Sequence, residues 1–61
     1  MSNRDTILTA AVEALSDGGI QNVTITCVAQ RAGFSRFTVH KYFGTAEALQ
    51  KAAAQEARRR G

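Results

Sequence analysis

The chain contains no proline and no tryptophan, and only one cysteine and one methionine. Without proline, nothing in its 61 residues breaks a helix by removing an amide donor. Helix ends must therefore be set by glycine and by capping side chains. The single cysteine, Cys27, cannot close an internal disulfide, so covalent stapling does not hold the fold. Cys27 and His40 together are too few for a structural zinc site. No apolar run approaches the roughly 20 residues that a membrane-spanning helix needs. The polar start, Met1–Thr6, is not the apolar core of a secretion signal. A catalytic set is also missing, because one histidine, one thiol and scattered carboxylates offer no nucleophile–base pair. The expectations are a cytoplasmic protein with no enzyme activity, no cofactor and no membrane partner.

β-branched residues cluster only at Val23–Thr26, and no second strand exists for them to pair with. The predicted class is all-α, a compact bundle of three to four helices forming one domain over residues 1–61. The first helix is expected from Arg4 to Asp17, capped by Ser2 or Asn3, with Ile7, Leu8, Ala11, Val12, Ala14 and Leu15 on its apolar face. Gly18-Gly19 stops it, and Ile20 and Val23 are expected to fold back onto the core. A second helix opens at Thr24 with Ile25, Val28, Ala29 and Ala32 on one side. Gly33 ends it, and Phe34 is expected to plug the core. Ser35 caps a third helix reaching Phe43, with Val39 and Phe43 turned inward. Gly44 ends that helix and Thr45 caps a fourth, whose Leu49 and Ala53 face in. The basic tail at 58–61 is expected to fray.

The informative stretch is Ile25–Phe43. Two short helices that cross closely need a small residue in the first, which Ala29 supplies. The tight turn between them needs a residue tolerant of positive φ, which Gly33 supplies four positions later. The second helix needs one apolar anchor, and Val39 lies six positions beyond that glycine. Together these constraints describe a helix-turn-helix. Removing the inward residues leaves Arg36, Phe37, Thr38, His40, Lys41 and Tyr42 on the outer face of the third helix. Arginine can pair with guanine O6 and N7, threonine and tyrosine can bond phosphate, and phenylalanine can touch a thymine methyl. Free amides at the helix starts beside Thr26 and Thr45 can also take phosphate.

The charge is arranged to match. Up to Gln30 the only base is Arg4, against Asp5, Glu13 and Asp17. From Arg31 onward come Arg31, Arg36, Lys41, Lys51 and Arg58-Arg59-Arg60, against Glu47 and Glu56. A basic carboxy-terminal half suits a polyanionic partner.

The run Thr24-Ile25-Thr26-Cys27-Val28-Ala29-Gln30-Arg31-Ala32-Gly33-Phe34-Ser35, followed by Thr38-Val39 and Tyr42-Phe43, resembles the amino-terminal domain of the tetracycline-repressor (TetR) family. Ile7, Ala10-Ala11, Leu15 and Gly19 before it and Glu47-Ala48-Leu49 after it extend the likeness. The resemblance implies a homeodomain-like helix-turn-helix that binds double-stranded DNA as a transcriptional regulator of repressor type. It implies base reading by Thr26, Arg36, Phe37 and Lys41. Phosphate binding falls on Thr38, His40, Tyr42 and the start of the fourth helix at Thr45, with Ser35 beginning the recognition helix. Phe37 stands where the family often has a small residue, His40 where it usually has tyrosine, and Ala46 where a lysine commonly grips phosphate.

Family members continue into a longer helical domain that binds an inducer and pairs subunits, and these residues hold no counterpart of it. No small-molecule inducer site is expected within this chain. A homodimer or tandem copies on DNA are the expected assembly, in association with the nucleoid. Two alternatives stay open: an architectural protein that coats DNA for plasmid maintenance, replication or recombination, and a protein-interaction module using Phe37, His40 and Tyr42.

Overall fold

The computed structural model describes residues 2–61. It contains helices α1 (Asn3–Gly18), α2 (Ile25–Ala32), α3 (Arg36–Phe43) and α4 (Ala46–Arg60), with a single 3₁₀ turn at Ile20–Asn22. No strand occurs among the described residues. The all-α expectation holds.

Each α-helix opens on a hydroxyl cap. Ser2, Thr24, Ser35 and Thr45 are in extended conformation, and each accepts from the amide three residues on: Asp5, Cys27, Thr38 and Ala48, at 3.1–3.2 Å. Each cap satisfies a donor that the helix itself cannot, which stabilises by roughly 1 kcal/mol. In a chain without proline, these four hydroxyls and the glycines after them define where the helices start and stop.

The core is small. Ile7, Ala10, Ala11 and Ala14 from α1 meet Ile25, Val28 and Ala29 from α2, Val39 from α3, and Leu49 and Ala53 from α4, with Val23 from the connection. The alanines let α1 lie close to its neighbours; it packs against both α2 and α4. Ile7, Val23, Val28, Val39 and Leu49 are the largest fully buried side chains.

Three expectations need correcting. Ile20 does not fold back: it is 47 % exposed, while Val23 is fully buried. The 3₁₀ turn explains this, because its backbone is what the fold grips. Gln50 Nε2 donates to the carbonyls of Ile20 (3.3 Å) and Val23 (3.2 Å), and Asn22 Nδ2 donates to that of Ala14 (2.9 Å). Phe34 does not plug the core but lies half-buried at its edge, as does Phe43. The Arg4 guanidinium sits 5.0 Å from the centre of the Phe43 ring, so that edge is closed by a cation–π contact.

The basic tail does not fray either: α4 continues to Arg60. Its last turn is held by Glu56, whose carboxylate accepts from Arg59 Nε (2.9 Å) and Nη2 (2.8 Å) and from Arg60 Nε (2.8 Å). Arg60 Nη2 also donates to Thr9 Oγ1 on α1 (3.1 Å), across the helix pair. Hydrogen bonds from Arg59 and Arg60 hold the Glu56 carboxyl down at about 2 against the opposing effect of burial.

Candidate nucleic-acid interface

The interface is built from α2, the turn after it, and α3. Gly33 adopts φ 79° and ψ 26°, the left-handed conformation, and its amide and that of Phe34 both return to Ala29 O at 3.0 Å. Ala29, nearly fully buried, permits the close approach of α3. Val39 is fully buried and anchors α3 from within. The three positions singled out for a helix-turn-helix therefore do what that motif requires.

Anchoring Val39 inward fixes what α3 turns outward. Arg36, Phe37, His40, Lys41 and Tyr42 are all exposed, and Phe37 is 78 % exposed. Helical spacing arranges these side chains as two adjacent rows, Arg36 with His40 and Phe37 with Lys41. Neither α2 nor α3 contains an acidic residue. Arg36 and Lys41 form no ion pair among the described residues, so their charges are available to an outside anion.

The remaining expected residues are placed differently. Thr26 and Thr45 are exposed in or beside the first turns of α2 and α4. Thr45 Oγ1 accepts from Ala48, which leaves its hydroxyl hydrogen free to donate outward. Ser35 and Thr38 are committed to each other, with their hydroxyls 3.0 Å apart and Thr38 half-buried. One hydroxyl hydrogen is spent within that pair, so the two together offer a single donor to a ligand.

His40 is the residue whose situation the sequence did not foretell. Its Nδ1 lies 2.6 Å from Gly44 O. A carbonyl only accepts, so Nδ1 carries the hydrogen and the outward Nε2 of the neutral ring is bare. Neutral His40 is thereby not a phosphate donor. A histidine four residues before a helix-ending glycine was the available signal.

The family model described as bacterial regulatory proteins, tetR family, matches residues 7–53, which includes α2, α3 and their turn. The chain belongs to the TetR family. No curated protein and no solved structure matches it. The TetR-family amino-terminal domain is the DNA-binding helix-turn-helix of transcription regulators and is not an enzyme family. Among the described residues no helix is long and apolar enough to cross a membrane.

Proposed function

We propose that this TetR-family domain binds double-stranded DNA sequence-specifically by laying α3 in the major groove, and that it acts as a repressor-type regulator in the cytoplasm. The observation that carries this reading is the acid-free outer face of α3. It presents Arg36 and Lys41, with no ion pair among the described residues, beside a largely exposed Phe37.

In this reading Arg36 pairs with a guanine edge, Lys41 with a base acceptor, and Phe37 with a thymine methyl, while Thr26 reads from the start of α2. Tyr42, the Ser35–Thr38 pair and Thr45 bind phosphate. The amides of Ala46 and Glu47, in the Thr45-capped turn, add a phosphate grip that compensates for alanine at position 46.

One α3 makes few base contacts, so the binding unit is a pair of copies on half-sites about one helical turn apart, roughly 34–36 Å. Selection of bound duplexes from a random pool tests all of this together. A symmetric or directly repeated pair of short half-sites is the expected outcome. Recovery of no common sequence favours the DNA-coating alternative.

A further inference from the structure

The join between α3 and α4 is an unusual piece of backbone. Gly44 adopts φ 86° and ψ −72°, and the Thr45 amide returns to Phe43 O at 3.1 Å. That is a three-residue γ-turn of the rare, strained hand. Glycine, without a Cβ, adopts this hand as readily as its mirror image, so the backbone of Gly44 has several conformations open to it and a side-chain bond can select among them. The ψ of Gly44 sets both where its carbonyl points and the direction in which the chain enters α4.

The side chain of His40 holds that carbonyl. Nδ1–H donates to Gly44 O at 2.6 Å, while the Gly44 amide donates to His40 O at 2.7 Å. The two residues are thus bonded twice, once through the backbone and once through the imidazole. The backbone bond ends α3, and the imidazole bond fixes the entry into α4.

We infer that His40 is a positioning residue: its imidazole locks the Gly44 γ-turn and so sets the start of α4 against α3. This rests on the reading that α3 and the first turn of α4 meet the same duplex. If they do, an error in that turn misplaces the Thr45 hydroxyl and the Ala46 and Glu47 amides relative to Arg36 and Lys41, which costs affinity without touching a base contact.

The experiment uses the whole chain and its selected duplex. His40→Phe keeps a ring and removes the donor, and His40→Asn places an amide nitrogen close to where Nδ1 lies. His40→Phe is expected to bind roughly 3- to 10-fold more weakly, the effect of one lost hydrogen bond, with helicity unchanged. His40→Asn restores most of the loss. Nitrogen NMR of the ring in the free wild type shows Nδ1 protonated, a readout that needs no variant to fold.

A bare Nδ1 or an unaffected His40→Phe overturns the inference and leaves the DNA reading standing. Absence of wild-type binding to any duplex overturns both.

Discussion

Arg31 Nη2 lies 2.7 Å from the Asp17 carboxylate, so the one base on α2 is paired with the end of α1. The contact bridges the two helices that flank the 3₁₀ turn. It also removes Arg31 from the charges available to an anion, although sequence position alone would group it with Arg36 and Lys41. Arg31→Ala is expected to lower DNA affinity less than about threefold, whereas a phosphate-contacting base costs more and reduces the salt slope by about one. Titrations at two salt concentrations separate these cases; a salt slope that falls by about one in Arg31→Ala assigns Arg31 to the phosphates.

Gly33 carries the turn between α2 and α3 by conformation alone. A Cβ built there meets nothing within 4 Å, so the penalty for a side chain comes entirely from the left-handed backbone. Gly33→Ala is expected to destabilise by roughly 1–2 kcal/mol, and Gly33→Asn by less, because asparagine tolerates that region. Urea unfolding of the two variants measures the difference. Equal losses would mean that the turn relaxes out of its left-handed state.

Glu56 makes the carboxy-terminal turn of α4 sensitive to acid. Its carboxyl is lowered from an ordinary value of 4.5 to about 2 by hydrogen bonds from Arg59 and then Arg60. A carboxyl lowered on folding binds fewer protons in the native state, so its stabilising contribution is complete above 4.5 and is lost as pH falls toward about 2. Thermal melts of the wild type should fall through that window more steeply than those of Glu56→Gln. Parallel curves would show that the arginines do not hold Glu56 in solution.

Phe37 has no place in the core, and its ring offers no hydrogen bond. The apolar group that bases present in the major groove is the thymine methyl. Replacing each thymine of the selected half-site by uracil should weaken binding severalfold at one position. Phe37→Ala should be indifferent to the same replacement. A flat uracil scan for the wild type would show that Phe37 serves another purpose.

Much of the fold was legible because its punctuation is local. Thr24, Ser35 and Thr45 cap three of the helices, as their hydroxyls and their placement before apolar periodicity indicated, and Gly33 and Gly44 end the second and third helices. The interface was legible for a related reason: once Val39 is assigned to the core, helical geometry leaves Phe37 and Lys41 outside, and Arg36 is exposed at the first position of α3.

The features that escaped depend on pairings distant in sequence or on side chains that bond backbone. Ile20 looks like core until Gln50, thirty residues away, is seen to bond its carbonyl. The last turn of α4 looks loose until Glu56 is seen between two arginines and Thr9 within reach of Arg60. His40 reads as a free surface imidazole until the Gly44 carbonyl is seen 2.6 Å from its Nδ1. No pattern of apolar spacing encodes these bonds.

The most direct measurement is the affinity for a selected duplex, as a function of salt, of the wild type and of a variant carrying both Arg36→Ala and Lys41→Ala. Arg36 and Lys41 are both exposed while Val39 holds α3 in the core, so neither substitution opens the core and helicity should be unchanged. The account predicts that the variant loses at least about 100-fold in affinity, that its salt dependence flattens, and that it no longer distinguishes the selected duplex from a scrambled one. A folded variant that still binds the selected duplex as the wild type does would contradict it.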